Sequence, residues 1–334
     1  MTQIAVLGAG LIGIYLGGRL AAGGADVILI GRPRLLDPLA DGLRLSALDG
    51  FDRTIPAPAR TADPTALAGA DLILLTTKSQ HSEAAAADVA AHARPGTPVL
   101  SFQNGVSNAD RLRPLLPANP VIAGMVPYNV AARGPAHYHQ GTGGSLAADR
   151  AAVPFAPLFQ AAGLAFACSD NMPGVMWGKL LVNLNNAINA LSGIPLAHQL
   201  IQRDYRRAWA LCVAEGLRLL KPTGITLVDP LPLPLKHMPL IMSLPNPLYR
   251  RVVSRAGKGG ARVDPHARSS MADDLAQGRA TEVDWINGEL LRLAASQGRT
   301  APINARVIKL VRAAEAGAAP WPATALYKEL KSAR

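Results

Sequence analysis

Hydrophobic positions form different patterns in the two halves of the chain. In the first half, short runs of consecutive apolar residues predict buried strands, and the stretches between them predict helices. The predicted strands are residues 3–7, 25–30, 70–76, 98–102 and 120–124, and the predicted helices end at about residue 22 and span about 82–92. Because strands that alternate with helices form a parallel sheet covered on both faces, this half predicts a doubly wound α/β domain.

The pattern changes near residue 168. Before that point, the polar stretch 136–147 predicts an antiparallel strand pair, and residues 163–167 predict a last strand. Beyond it, helical periodicity dominates, at about residues 174–191, 203–220, 270–277, 281–296 and 302–315. The Pro- and Arg-rich segment 222–266 predicts loops and short helices. We therefore predict an α/β domain at 1–168 and an all-α domain at 169–334.

Composition agrees with two folded domains. The 334 residues are 49% hydrophobic and 17% charged, below the roughly 25% charged of an average globular protein, so a sizeable core is expected. The net charge of +11 has two interpretations, a solvated cationic surface or the attraction of anionic ligands. Scattered basic residues without interleaved aromatics argue against a nucleic-acid partner.

Cysteine and histidine positions predict no metal site. Cys168 and Cys212 are far apart and fit no metal or redox spacing, which is typical of a reducing cytoplasm. His81, His137 and His139 do not make a metal-binding set, and the alternation of the last two predicts cross-strand packing.

The apolar start of the chain does not have the pattern of a targeting segment. Residues 4–16 lack a preceding basic region and contain three glycines, and Arg19 and Asp26 interrupt the run well short of a membrane span. We therefore expect a cytoplasmic protein with no membrane partner.

A glycine-rich turn follows the first strand and opens the first helix. Its spacing supplies a tight turn, close approach of the backbone to a ligand, and close helix–strand packing, all of which a dinucleotide diphosphate requires. The predicted cofactor contacts are Gly8, Ala9, Gly10, Leu11, Ile12 and Gly13. The alternative is a glycine-rich turn that binds nothing.

The end of the second strand predicts which dinucleotide binds. An NAD enzyme usually has an acidic residue there for the ribose 2′-hydroxyl. This chain has Arg32 and Arg34 and no carboxylate. Because a guanidinium pairs with a phosphate, we predict NADPH/NADP, with Arg32 beside the 2′-phosphate. The alternative is that both are solvated loop arginines.

Several further segments occur in an order that resembles the ketopantoate reductase (2-dehydropantoate 2-reductase) family. They are Thr76-Thr-Lys78-Ser-Gln80, Gln103-Asn104-Gly105, Trp177-Gly-Lys179-Leu-Leu-Val-Asn183, Ser269-Ser270-Met271, Thr281-Glu282-Val-Asp-Trp-Ile-Asn287-Gly288, and Gly298 followed by Pro302-Ile-Asn304. The resemblance implies an N-terminal doubly wound Rossmann domain, a C-terminal all-α helical domain and an active site in the cleft between them. It also implies reduction of a branched 2-oxo acid by NADPH.

Polar residues along the first helix of the second half agree with such chemistry. Hydride addition to a ketone builds negative charge on oxygen, so a proton donor is needed there. Asn183 and Asn186 follow Lys179 at i+4 and i+7, so the three share one helix face. By resemblance Lys179 is the general acid, and partial desolvation would bring its pKa toward neutrality. The alternative is a surface lysine.

The asparagines depart from the family pattern. By resemblance Asn183 binds substrate, but the family's second asparagine, four residues later, is replaced by Ala187. Asn185, Asn186 and Asn189 surround this position, and we name Asn186 as a substrate-binding candidate while the choice among the three stays open. The alternative is a polar helix surface.

Two residues farther along the chain complete the catalytic candidates. Ser270 and Glu282 have the family's separation of twelve residues. The resemblance assigns Ser270 to the substrate carboxylate, and Glu282 to the substrate or cofactor near the reacting carbon. In the alternative interpretations Ser270 is an N-cap paired with Asp273, and Glu282 is an acid in the first turn of a helix.

Lys78 and Asn104 follow strand ends in the first half, where open α/β sheets place ligand contacts. The resemblance assigns Lys78 to the cofactor or the acid, and Asn104 to the nicotinamide or the substrate side. The alternatives are a lysine at a helix start and an Asn-Gly turn.

These inferences predict an NADP-dependent oxidoreductase that reduces 2-dehydropantoate (ketopantoate) to pantoate, as in pantothenate and coenzyme A biosynthesis. Two rivals are a related 2-oxo acid or imine reductase of different specificity, and a non-catalytic NADPH-binding protein. The expected partner is a small-molecule 2-oxo acid. A homodimer is compatible with the sequence, which establishes no oligomeric state.

Overall fold

The computed structural model describes residues 2–256 and 267–333. They form two compact units, which divide between Met172 and Pro173. The first unit contains all the strands found in these residues, and the second is helical. The predicted combination of an α/β domain with a parallel-stranded sheet and a helical domain is confirmed.

The strands of the first unit form two sheets. In chain order they are β1 Gln3–Leu7, β2 Asp26–Ile30, β3 Leu43–Ala47, β4 Asp52–Ile55, β5 Ala59–Thr61, β6 Leu72–Leu75, β7 Val99–Ser101, β8 Val121–Met125, β9 Val130–Ala132, β10 His137–Gln140, β11 Leu146–Asp149 and β12 Phe166–Ser169. The larger sheet has the order β12-β11-β8-β7-β6-β1-β2-β5, and the strands from β8 to β5 are parallel. The smaller sheet has the order β4-β3-β10-β9.

Five helices cover these sheets, namely α1 Leu11–Ala22, α2 Pro33–Leu36, α3 Ser82–His92, α4 Asn108–Leu112 and α5 Ala156–Ala161. Helix α1 lies between the two sheets because its small residues permit close approach. A Cβ on Gly17 would be 2.6 Å from a Leu29 methyl in the larger sheet, and one on Gly18 would be 2.6 Å from a Leu43 methyl in the smaller. These contacts hold α1, and with it the turn that precedes this helix, at the carboxyl-terminal end of β1.

The prediction of an antiparallel pair within 136–147 is wrong. Strand β10 pairs with β3 and β9, whereas β11 belongs to the larger sheet and pairs with β8 and β12. Alternation along a sequence indicates a strand but not its partner. Here a segment containing Gly141, Gly143 and Gly144 connects strands of different sheets.

The last strand begins later than the predicted residues 163–167. Helix α5 ends in a turn in which the Gly163 and Leu164 amides donate to carbonyls of the helix, and Gly163 has a φ of +64°. The chain therefore becomes extended only at Phe166, and Cys168, the predicted domain end, lies within β12.

The second unit contains ten helices in its described residues. They are α6 Met172–Asn183, α7 Asn185–Ser192, α8 Leu196–Ile201, α9 Arg203–Leu220, α10 Met238–Ser243, α11 Asn246–Ala256, α12 Ser270–Ala276, α13 Val283–Ser296, α14 Pro302–Glu315 and α15 Ala323–Ser332. Helix α6 begins one residue before the division. The sequence did not predict α8 or α15, and the single helix predicted over 174–191 is two helices that meet at Leu184.

The Pro- and Arg-rich segment contains short helices, as predicted, up to residue 256. Residues 257–266 of that prediction lie outside the described residues. Buried Arg206 of α9 holds the segment by donating to the carbonyls of Met242 and Leu244 and to the Asn246 side chain. None of the described helices combines the length and apolar character needed to cross a membrane.

Candidate active site

In the glycine-rich turn after β1, a side chain would have room at only one of the three glycines. Gly8 has a φ of +101°, and a Cβ there would lie 2.5 Å from the Thr77 nitrogen. A Cβ on Gly13 would lie 2.5 Å from the Gly8 oxygen, whereas one on Gly10 would have its nearest neighbour, the same oxygen, at 3.9 Å. The fold itself requires Gly8 and Gly13, but Gly10 leaves space above the turn.

The amides of the turn divide into two groups. Gly8 and Ala9 both donate to the Ile30 carbonyl at 3.0 Å, so these two amides hold the turn against β2. The first helical hydrogen bond runs from Ile14 to Gly10, at 2.9 Å. The amides of Leu11, Ile12 and Gly13 thus form the first turn of α1, where a helix supplies no acceptors. These three amides and the space above Gly10 fit a diphosphate.

Four neighbouring strands bring the other candidate residues of the first unit to one side of the larger sheet, at the carboxyl-terminal ends of the strands (called the sheet edge below). The order β7-β6-β1-β2 places the loops after these parallel strands side by side. These loops carry Asn104, Lys78, the glycine turn and Arg32, respectively. Lys78 and Asn104 are partly buried, and Arg32 is exposed at the start of α2. The sheet therefore aligns a cation, an amide, a helix N-terminus and a guanidinium along one edge.

Buried Gln103 connects these loops, a role that sequence reasoning missed. Its Nε2 donates to the Thr77 carbonyl at 3.1 Å and to the Ser82 hydroxyl at 2.8 Å, and its Oε1 accepts from Ser101 at 3.1 Å. Because Thr77 packs directly on Gly8, Gln103 also supports the glycine turn. Its place beside Asn104 in the family segment was the one available signal.

Asn108 extends this network to the next loop. Its Nδ2 donates to the Ser79 hydroxyl at 3.1 Å and to the Asn104 carbonyl, and the Ser79 hydroxyl donates to the same carbonyl at 3.0 Å. The backbone carbonyl of Asn104 is therefore held by two donors, from Ser79 and Asn108.

Lys179 lies in α6 of the second unit and is partly buried. Burial lowers the pKa of Lys179 from 10.5 to about 8, and the negative charge of Glu282 acts in the opposite direction. Glu282 is buried, with 8% of its surface exposed, directly before α13, and its side chain does not cap that helix. The pair places a readily titrated ammonium beside a carboxylate.

A proline-rich loop packs against α6 directly before Lys179. The Val228 amide donates to the Gly174 carbonyl at 3.1 Å, and a Cβ on Gly178 would collide with the Val228 carbonyl oxygen. Asp229 closes this loop by accepting from the Leu235 amide at 2.7 Å. The backbone that carries Lys179 is therefore fixed by contacts one residue away.

The helix face predicted to carry Lys179, Asn183 and Asn186 continues across the break between α6 and α7. Leu184 keeps helical torsion angles, φ −57° and ψ −22°, so the helical phase continues through it. Lys179, Asn183 and Asn186 are all partly exposed. The neighbouring Leu180, Leu181 and Leu184 are no more than 2% exposed. One face of this helix pair is thus polar and accessible while the other is core.

The start of α12 places Ser270 differently from its alternative interpretation. The N-cap is Ser269, whose hydroxyl accepts from the Ala272 amide at 3.2 Å, so Ser270 is not the cap. Ser270 is the first helical residue and is exposed. Its hydroxyl is therefore not needed to begin the helix.

The histidines pack as the sequence predicted. The Ser46 hydroxyl on β3 lies 2.8 Å from His137 Nε2 and 2.8 Å from His139 Nδ1 on β10. Within residues 2–256 and 267–333, no group of three or more His, Cys, Asp or Glu side chains is arranged to hold a metal ion.

Comparison with known proteins places this geometry in a family. The family model described as ketopantoate reductase PanE/ApbA matches residues 4–151, and the model of its C-terminal domain matches residues 171–315. A 2-dehydropantoate 2-reductase of Halobacterium salinarum is 28% identical, covering 94% of this chain and 99% of that protein.

Solved structures give the same result. A PanE/ApbA family ketopantoate reductase from Ralstonia eutropha has a TM-score of 0.79 and 32% identity, covering 94% of this chain and 99% of the other. A D-mandelate dehydrogenase with NADH and anilino(oxo)acetate has the same fold, with a TM-score of 0.76, 22% identity and coverage of 94% and 99%. The chain belongs to the ketopantoate reductase family and is an oxidoreductase that acts on a CH–OH group, like 2-dehydropantoate 2-reductase.

Proposed function

We propose that the protein reduces a branched 2-oxo acid to the 2-hydroxy acid with NADPH, and that ketopantoate is the first substrate to test. The observation that carries this proposal is the partly buried ammonium of Lys179, with its pKa near 8, on a polar helix face beside Glu282. When bound, NADPH supplies the hydride that adds to C2 of the acid.

Lys179 supplies the proton that this reaction consumes. Negative charge develops on the carbonyl oxygen as the hydride arrives, and a donor with a pKa near the working pH transfers its proton most effectively. An ammonium of pKa about 8 is mostly charged at neutral pH and gives up its proton more readily than an exposed lysine. Glu282 holds the ammonium in its charged form before the reaction.

The remaining candidates bind the two ligands. Asn183 and Ser270 are accessible on the second unit and hydrogen-bond the acid. The Leu11, Ile12 and Gly13 amides hold the diphosphate, and Lys78 and Asn104 contact the cofactor farther along the sheet edge. Arg32 pairs with the 2′-phosphate, because no carboxylate stands at the end of β2 to repel it.

A related acid is the second candidate substrate. Ala187 stands where the family's second asparagine is expected, and it is fully buried. One hydrogen bond to the substrate would then be missing, which favours acids that do not need it. The D-mandelate dehydrogenase that shares the fold makes aromatic 2-oxo acids a reasonable part of the test.

The experiment is a panel of 2-oxo acids, with and without amines, followed by NADPH and NADH absorbance. The proposal predicts amine-independent turnover of a branched 2-oxo acid and a preference for NADPH. Turnover only with an amine would indicate an imine reductase. Binding of NADPH without turnover of any acid would contradict the proposal and favour a non-catalytic role.

A further inference from the structure

A buried threonine connects the start of α13 to the end of α14. Thr281 directly precedes Glu282 and is 5% exposed. Its amide donates to Glu315 Oε1 at 2.8 Å, and its hydroxyl donates to the same oxygen at 2.7 Å. One carboxylate oxygen of α14 therefore accepts from both hydrogen-bond donors of the residue before Glu282.

The other oxygen of Glu315 extends this contact to the first turn of α13. Glu315 Oε2 accepts from Arg312 Nη1 at 2.6 Å, and Arg312 Nη2 pairs with Asp284. The residues on either side of Glu282, Thr281 and Asp284, are thus both held by α14. Glu282 itself does not cap α13, and its torsion angles, φ −97° and ψ 28°, are not helical. Its position therefore depends on these neighbours.

The location of Glu315 indicates that it acts on α13 rather than on its own helix. Glu315 is the last residue of α14, where the helix dipole disfavours a carboxylate, whereas the same charge is favourable at the start of α13. Burial raises the pKa of Glu315, but hydrogen bonds from Thr281 and Arg312 outweigh this effect and hold the pKa below its ordinary value. The carboxylate therefore stays charged throughout the pH range in which Lys179 titrates.

We propose that Glu315 is a positioning residue, which fixes the backbone around Glu282 and so keeps that carboxylate beside Lys179. The attraction between two opposite charges falls with their separation, so a displaced Glu282 would stabilise the ammonium less. The inference rests on the proposed function, in which Lys179 gives the proton, and adds to it a residue of α14 that acts through Glu282.

A second connection keeps α13 on α14 when Glu315 is lost. Buried Asn287 of α13 donates to Asn304 Oδ1 at 2.9 Å, and Asn304 Nδ2 donates to the buried carboxylate of Glu215 at 2.8 Å. Glu215 also accepts from the Asn304 amide at 2.9 Å. The helix pair should therefore fold without Glu315, and the effect of its loss should be confined to the start of α13.

The test measures the pKa of Lys179 from the pH dependence of its acetylation by acetic anhydride, followed by mass spectrometry and without substrate or cofactor. An opposite charge close to a titrating group contributes about 1 to 3 to its pKa, and a displaced carboxylate keeps part of that contribution. Glu315→Ala should therefore lower the Lys179 pKa by roughly half a pH unit or more. The fall of kcat/KM at alkaline pH should move by the same amount.

Two further variants separate positioning from a direct effect of charge. Glu315→Gln keeps an oxygen that accepts from Thr281 but removes the charge, so the Lys179 pKa should stay close to that of the wild type. In Glu282→Gln, the additional change Glu315→Ala should leave the Lys179 pKa unchanged, because no carboxylate is left to position.

Glu329→Ala is the matched control. Glu329 lies on α15 and accepts from Arg306 of α14 at 2.6 Å, so its loss removes a contact between a carboxylate and an arginine of the same helix that does not involve α13. Both Glu315→Ala and Glu329→Ala should lower Tm, but only the first should lower the Lys179 pKa.

Three outcomes overturn the inference. An unchanged Lys179 pKa in Glu315→Ala means that Glu282 keeps its place without Glu315. Equal shifts in Glu315→Ala and Glu329→Ala mean that Glu315 contributes only stability. A shift that is as large in Glu315→Gln as in Glu315→Ala, or that adds to that of Glu282→Gln, means that the charge of Glu315 acts directly.

The acetylation measurement separates this inference from the proposed function. If the wild-type protein turns over no 2-oxo acid while Glu315→Ala still lowers the Lys179 pKa, the proposed function fails and the positioning role stands. Normal wild-type turnover with an unchanged Lys179 pKa in Glu315→Ala refutes the inference alone.

Discussion

Replacing Glu282 by Gln should move the pH dependence of reduction to lower pH. The reaction needs Lys179 protonated, so kcat/KM should fall as the pH rises through the pKa of Lys179, about 8. Burial lowers that pKa and Glu282 opposes the effect. Removing the carboxylate leaves burial unopposed, so the pKa must fall further.

The size of the shift follows from the two opposing contributions. The drop in the Lys179 pKa from 10.5 to about 8 corresponds to roughly 3 kcal/mol against the buried ammonium. An opposite charge close to a titrating group changes its pKa by about 1 to 3. In a plot of kcat/KM against pH, the fall on the alkaline side should therefore lie roughly one pH unit or more lower for Glu282→Gln than for the wild-type protein.

The assay is kcat/KM for NADPH oxidation with the best acid, from about pH 6 to about pH 10. Glu289→Gln is the control, because Glu289 lies on α13, the helix that Glu282 directly precedes, but pairs with Arg292 at 3.1 Å. That variant should lose stability, but its kcat/KM should fall at the same pH as that of the wild-type protein. If the pH at which kcat/KM falls is the same in the wild type and in Glu282→Gln, or moves to higher pH in the variant, Glu282 does not hold the Lys179 ammonium in its charged form.

Three further predictions concern the first unit. Arg32→Asp should weaken NADPH binding far more than NADH binding by calorimetry, and equal weakening would mean that Arg32 does not contact the 2′-phosphate. Gly10→Ala should leave Tm nearly unchanged but raise the Kd for NADPH, whereas Gly13→Ala should lower Tm because its methyl group would lie 2.5 Å from the Gly8 oxygen. Gln103→Leu should cost about 1–3 kcal/mol of unfolding free energy and weaken NADPH binding, and a loss of stability with unchanged binding would deny its support of the turn.

The sequence pattern predicted those elements of the fold that depend on neighbouring residues along the chain. The β1-α1-β2 unit has an apolar run, a glycine turn and a second apolar run in sequence, and each element formed where it was predicted. The smaller sheet was not predicted because β4 lacks the alternation of apolar and polar residues that indicates a strand. Asp52, Arg53 and Thr54 are all exposed. Its pairing with β3 depends on contacts that no single segment contains.

In the candidate site, too, features local to one helix were predicted, whereas contacts between distant segments were not. The spacing of Lys179, Asn183 and Asn186 predicted a shared helix face because helical phase is a local property. Sequence alone left the asparagines ambiguous, since only the folded chain brings Gln199 to Asn185 and Ser269 to Asn189. Buried amides on one helix look alike in sequence, and their partners distinguish them.

The most direct test of Lys179 as the proton donor is the turnover of Lys179→Ala with the best acid, measured beside its Kd for NADPH. Lys309→Ala, which removes an exposed lysine of α14, is the control. If Lys179 donates the proton, kcat falls by about a hundredfold or more in Lys179→Ala alone, with NADPH binding retained. Turnover that stays close to that of the wild type would show that the proton comes from another group.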